Sequence, residues 1–267
     1  MRRIRHSPSS NGIKVGCALL AALLLTFASL AEAEVSQNGT LRVAFEGKIS
    51  PRALPRQGAA PIGVLIGGQI STTDGTSPPQ LKRIEIEINK AGRFDFEGLP
   101  TCSVSQIQPS TTQNAIRTCR QAKVGEGTFS ANVLIPEQSP FPSQGRVVAF
   151  NGMQGKRHVI LAHVYGTNPI PTSYTLPLLV SKAKGTYGTK LTAYLPKTTG
   201  DWGFVTGLEL SLRRTYYYRG HRHSYLSAGC PAPKGFRSVF FPLARASFAF
   251  AGGRTLDSTL TRRCGAR

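Results

Sequence analysis

The most distinctive chemistry in this chain lies in one stretch, Leu212 to Tyr225, which reads LRRTYYYRGHRHSY. It interleaves four guanidinium groups, Arg213, Arg214, Arg219 and Arg222, with the phenols Tyr216, Tyr217, Tyr218 and Tyr225. Guanidinium meets phosphate or carboxylate through paired N–H donors, and aromatic rings add stacking or insertion at an interface. Gly220 sits where a hairpin would turn. Arg213, Arg214, Tyr216, Tyr218, Arg219, Arg222 and Tyr225 therefore read as a projecting surface for anions. The competing reading is a solvated edge hairpin whose arginines oppose edge-to-edge aggregation.

Other reactive residues form weaker constellations. His221 and His223 share a face at spacing two, but Arg219 and Arg222 beside them oppose a bound cation. His158 and His163, five positions apart on a strand, point to opposite faces and do not share a metal from that strand alone. The chain has no G-x-S-x-G, H-E-x-x-H, P-loop or G-x-G-x-x-G motif. Trp202, the only tryptophan, follows Asp201, an acid beside an indole of the kind found in sugar-handling sites. The same residues would also serve as a turn that plugs the end of a core. The alternative function is thus a glycan-active hydrolase using Asp201 with Glu126 or Glu137, whose two carboxyls must converge to about 5–10 Å. The sequence requires no cofactor and no metal, and favours a non-catalytic role.

The first residues read as an export signal. Arg2, Arg3, Arg5 and Lys14 precede an uncharged apolar run from Val15 to Ala31, and Ala31-Glu32-Ala33 offers a small-residue cleavage site. Residues 1–33 are the expected signal peptide, with the mature chain starting at Glu34. The alternative is an uncleaved membrane anchor over residues 15–31. Beyond Ala33 lie four cysteines, Cys102, Cys119, Cys230 and Cys264. An even number in an exported chain reads as two disulfides, and four cysteines allow three pairings. Cys102–Cys119 with Cys230–Cys264 is favoured because each closes a short local loop. No C-x-x-C pair supports zinc or dithiol redox chemistry.

The elements that must position these residues are strands. Leu81–Asn89 (LKRIEIEIN) places Ile84, Ile86 and Ile88 on one face and Arg83, Glu85 and Glu87 on the other. Arg93–Glu97 alternates again, and the short link ending in Gly92 predicts a hairpin between the two. Further strands are expected over 128–135, 146–150, 158–165, 191–195, 207–213, 247–250 and 256–261. One helix is expected near 111–122, capped by Ser110 or Thr111, with Ala115, Ile116 and Cys119 on one face. The fold class is mainly β: an antiparallel β-sandwich, or two, with one short helix. The proline-rich stretch Pro136–Ser143 divides the chain into modules at 34–140 and 144–267; the alternative is one large sandwich over 34–267.

Composition bounds the rest. The 267 residues carry 33 Lys and Arg against 13 Asp and Glu, a formal charge of +20, and hydrophobic residues make up 40%. That apolar share excludes a wholly disordered chain, and no apolar run is long enough for a multi-pass membrane protein. Without residues 1–33 the charge is still +17, so the basicity does not come from the signal.

Several phrases resemble an uncharacterised family of exported proteins from high-GC actinobacteria. They are QIQP (106–109), VGEG (124–127), PEQSPFP (136–142), TSYTLP (172–177), GDWGF (200–204) and SYLSAGCPAP (224–233). The resemblance covers most of the chain after residue 33; it implies export and a shared fold, and brings no known activity or site. Charge, leader and cysteines together predict an exported, non-catalytic β protein. Its expected partner is an anionic envelope polymer or lipid surface, with no sequence-specific nucleic acid.

Overall fold

The computed structural model describes residues 33–134, 137, 139–168, 171–195 and 203–267. The leader up to Glu32 and the Asp201–Trp202 pair lie outside these residues. The described residues form β1 (Glu34–Asn38), β2 (Leu41–Ser50), β3 (Ala53–Leu54), β4 (Ala60–Pro61), β5 (Gly63–Thr72), β6 (Leu81–Asn89) and β7 (Gly92–Phe94). Two helices follow, α1 (Val104–Ile107) and α2 (Thr112–Thr118). Then come β8 (Lys123–Val133), β9 (Phe141–Gln154), β10 (Arg157–Gly166), β11 (Thr172–Lys182), β12 (Tyr187–Tyr194) and β13 (Gly203–Leu212). The chain finishes with β14 (Thr215–Tyr218), β15 (His221–Ser224), β16 (Leu226–Ala228), β17 (Ser238–Phe250) and β18 (Thr255–Ala266).

Strand makes up 64% of the structure and helix 8%, and α2 is the one helix of seven or more residues. The protein is mainly β. Thirteen strands join in one sheet in the order β1-β2-β5-β13-β8-β9-β10-β11-β12-β6-β17-β18-β3. Every pairing in it is antiparallel except the short contact of β3 with β18. Strands from 34–140 and from 144–267 alternate along this order: β13 sits between β5 and β8, and β6 between β12 and β17.

The sheet curls until its first and next-to-last strands meet. Ser36 Oγ donates to the Asp257 carbonyl at 2.6 Å, Ser258 Oγ to the Glu34 carbonyl at 3.4 Å, and Arg262 Nε to the Gly47 carbonyl at 2.8 Å. Side chains therefore bridge β1–β2 to β18 along this line. The inner face forms the main core. In β2 the period-2 pattern buries Leu41, Val43, Phe45 and Ile49 while Arg42 and Lys48 face out. Phe45 meets Phe248 of β17 edge-on, ring centres 6.0 Å apart, so opposite walls of the curl touch.

Among the described residues only β9 and β10 are buried on both faces over a long run. Val147, Ala149, Ile160 and Ala162 enter the main core. Val148, Phe150, Val159 and Leu161 point the other way, into a second cluster with Ile107, Ala115 and Ala122. Their cover is the segment 99–122, called here the clasp. It begins at Leu99, runs through α1 and α2, and is closed by a disulfide between Cys102 and Cys119, Cα atoms 5.9 Å apart. Thr111 caps α2 as expected, its hydroxyl accepting from the Asn114 N–H. The continuous apolar runs in β9 and β10 reflect this double cover.

Two local expectations are corrected. The segments 81–89 and 93–97 do not form a hairpin: β6 pairs with β12 and β17, whereas β7 leaves the sheet to pair with β16. The Asn89 side chain makes the break, accepting from the Ala91 N–H and donating to the Pro242 carbonyl, which turns the chain outward. The proline-rich stretch also ends inside a strand, because β9 starts at Phe141 and Pro142 pairs with Asn132. As the second residue of its strand, Pro142 interrupts little of the ladder.

Candidate functional site

The strand pairings give the sheet two ends, and the charges are divided unequally between them. The turns and segments at one end are 50–63, 90–99, 154–157, 182–187, 212–238 and 263–267. They contain sixteen Lys and Arg against two acids, Asp95 and Glu97. The described loop residues at the other end, 39–40, 73–80, 134, 137, 139–140, 167–168, 171 and 251–254, contain Arg254 against Asp74 and Glu137.

Among the described residues, none of the sixteen cations at the basic end lies within ion-pair distance of an acid. The Lys–Arg ion pairs belong to strand faces: Arg83 and Lys190 with Glu85, Arg245 with Glu87, Lys123 and Arg146 with Glu126, and Arg262 with Glu34.

The basic end carries the predicted hairpin. β14 and β15 pair across a turn in which Arg219 and Gly220 both take positive φ. Its register puts Tyr216 opposite His223 and Tyr217 opposite Arg222. The face carrying Tyr216, Tyr218 and His223 docks on residues 94–99. Tyr216 Oη donates to the Glu97 carbonyl at 2.8 Å, and His223 Nδ1 lies 2.8 Å from the Asp95 carboxylate. The Tyr218 ring covers Gly98, where a β-carbon would collide with it and where φ is +69°. Tyr225, fully buried, makes edge contacts with Phe94 and Phe96, and Phe96 stacks on His158 at 4.1 Å. Burial, with smaller help from the Asp95 and Glu97 charges, pushes the Tyr216 phenol up to about 12. Burial raises Tyr225 as well.

The seven expected binding residues thus divide by chemistry. Tyr216 and Tyr225 are buried and Tyr218 is half-buried, so these rings hold the hairpin on the fold. Arg213, Arg219 and Arg222 are exposed and Arg214 is half-buried. Arg219 lies over the Tyr218 ring, 5.1 Å from its centre. The ring the hairpin does present is Tyr217, 77% exposed beside Arg222. His158 and His163 do lie on opposite sides of β10: His158 stacks on Phe96 at the basic end, while His163 is buried 3.4 Å from the Thr175 hydroxyl beneath the clasp.

The second disulfide holds the rest of this end. Cys230 and Cys264, Cα atoms 5.8 Å apart, tie the segment after β16 to β18. A small sheet β4-β16-β7 closes the curl here. Below it is an apolar void of about 60 Å³ lined by residues such as Ile49, Ile62, Phe94, Leu226 and Phe241.

Asp201 lies outside the described residues. Glu137 is an exposed turn residue. The Glu126 carboxyl is held below the usual carboxylate range, first by Arg146 at 2.5 Å and then by Lys123 at 3.0 Å. A group so held is ionised at neutral pH and has no proton to donate to a leaving group. Sequence reasoning missed an open trough of about 790 Å³ on the outer face of β2, β5, β13, β8 and β9, lined by Glu46, Gln69, Ser130, Gln144, Arg146 and Glu209. Glu46 and Glu209 flank Gly67 in register, two strands and so about 10 Å apart. Both are half-exposed. Among the described residues no group of three or more His, Cys, Asp or Glu is placed to hold a metal ion. No family model, no curated protein and no solved structure matches the chain.

Proposed function

We propose that the chain is an exported, non-catalytic β protein that binds an anionic component of the cell envelope through its basic end. One observation carries this reading: the concentration of sixteen cations without ion pairs at one end of the sheet, while the ion-paired cations lie on the strand walls. Like charges repel, and gathering them opposes the compact state. Such an array binds anions well, because each cation near an anionic surface adds about 1 kcal/mol at low salt.

Export rests on the leader over residues 1–33 and its cleavage after Ala33. It is supported by two disulfides, which form and persist in oxidising compartments, and by the resemblance to an exported family. Among the described residues no helix is long and apolar enough to cross a membrane.

The test is retention of the processed protein on an immobilised polyanion, polyphosphate, across a salt gradient. Charge reversal of Arg213, Arg214, Arg219 and Arg222 should lower the eluting salt concentration markedly with an unchanged melting temperature. Elution unchanged by the four substitutions would refute the assignment. Mass analysis of protein recovered after export should give Glu34 as its first residue.

A further inference from the structure

Two exposed phenylalanines stand beside the cations of the basic end, and the fold holds them there with some care. Phe236 is 62% exposed and Phe240 is 69% exposed. Phe236 closes a β-turn, its N–H donating to the Pro233 carbonyl, with Gly235 at φ +93°. The Arg56 guanidinium fixes this turn from below, donating to the carbonyls of Ala232 and Phe236 at 2.8 Å each and also to that of Pro233. The Cys230–Cys264 disulfide anchors the start of the loop. Phe240 follows in β17, paired in register with exposed Arg263. Exposed Lys234 and Arg237 complete the stretch.

A loop clamped on three carbonyls and closed by a covalent bridge is built to keep one shape. It keeps Phe236 in water, where an apolar ring gains nothing. The phenyl rings have no hydrogen-bonding group to offer a polyanion, but they gain by entering hydrocarbon at a membrane interface. Lys and Arg around such rings meet lipid phosphates at the depth where aromatic residues prefer to sit. Tyr217 repeats the arrangement on the hairpin, exposed beside Arg222. Among the described residues, the other large exposed apolar side chains, Val35, Val104 and Tyr194, lie outside these two segments.

Resting on the basic-end reading, we infer that the partner is an anionic bilayer surface, into which Phe236 and Phe240 insert while Lys234, Arg237 and Arg263 contact the headgroups. Arg56 is the positioning residue.

The experiment compares the processed protein on vesicles of phosphatidylglycerol in phosphatidylcholine, on vesicles of phosphatidylcholine alone, and on soluble polyphosphate. The Phe236→Ala/Phe240→Ala pair should weaken binding to the anionic vesicles by about tenfold or more and leave polyphosphate affinity and melting temperature unchanged. Arg56→Lys, which keeps the charge and loses the fork of donors that spans the three carbonyls, should weaken vesicle binding in the same direction, with polyphosphate affinity unchanged and both phenylalanines intact. In a Phe236→Trp variant, the indole should shift its emission to the blue on anionic vesicles and be quenched by brominated acyl chains. Vesicle binding unaffected by the phenylalanine pair, or Phe236→Trp emission that stays as in water, overturns the inference. Binding to polyphosphate without binding to vesicles overturns it too, while leaving the basic-end reading standing. Binding to neither defeats both.

Discussion

The clasp and the basic end are built with the same devices and turned in opposite directions. Each has its own disulfide: Cys102–Cys119, 17 positions apart, closes the clasp, and Cys230–Cys264, 34 positions apart, ties the segment after β16 to β18. The clasp lays Ile107, Ala115 and Ala122 on the outer face of β9 and β10, and its product is a second buried cluster. The hairpin at the basic end also buries rings, Tyr216 and Tyr225, but uses them to hold arginines and Tyr217 in solvent. Apolar cover that ends in burial serves stability. Apolar support beneath the hairpin leaves its cations and one ring in solvent.

The largest effect should come from breaking the clasp. Phe150→Ala, at a fully buried position, should cost about 3–5 kcal/mol in denaturant unfolding, with polyanion affinity unchanged in the fraction that remains folded. Next is the comparison of the two bridges. Removing either cysteine pair by serine substitution should cost about 3–4 kcal/mol. Loss of Cys230 and Cys264 should also weaken anion binding, whereas loss of Cys102 and Cys119 should not; equal binding losses would erase the distinction between the two regions.

A smaller change is Gly98→Ala. It meets both a positive φ and the Tyr218 ring, and should destabilise by about 1–3 kcal/mol while loosening the hairpin, read as faster amide exchange over 214–225. The smallest is an alkaline effect. The folded state holds the Tyr216 phenol at about 12, above the ordinary 10, so folding favours its protonated form. That contribution is complete below pH 10 and is lost as pH rises from 10 towards 12. Tyr216→Phe should flatten this part of the stability curve, and an unchanged slope would mean that the ring is not buried as described.

Much of this was legible in the residues. The bounds of β6 follow from its strict alternation, the clasp helix from Thr111 and the Ala115–Cys119 face, and both disulfides from the preference for short loops. Partners were not legible. Alternation says which side of Leu81–Asn89 is buried but nothing of what lies beside it, and β17, its neighbour, starts about 150 residues later. Leu41–Ile49 alternates as cleanly as β6 in burial, but in sequence its acid and bases are scattered among glycine and alanine. At the basic end, composition identified the arginines but could not tell Tyr217 from Tyr216, since one residue of register decides which ring is buried. Phe236 and Phe240 gave no signal beyond their type. What marks Phe236 is the clamp from Arg56, 180 positions away, and what marks Phe240 is its exposure opposite Arg263.

Because β1 and β18 meet through hydroxyls and a guanidinium instead of a ladder of amides, the sheet is a scroll with a free margin. Water competes there against side chains alone. On heating, the molecule should peel from that margin, strand after strand, and the layers under the clasp should be the last to part.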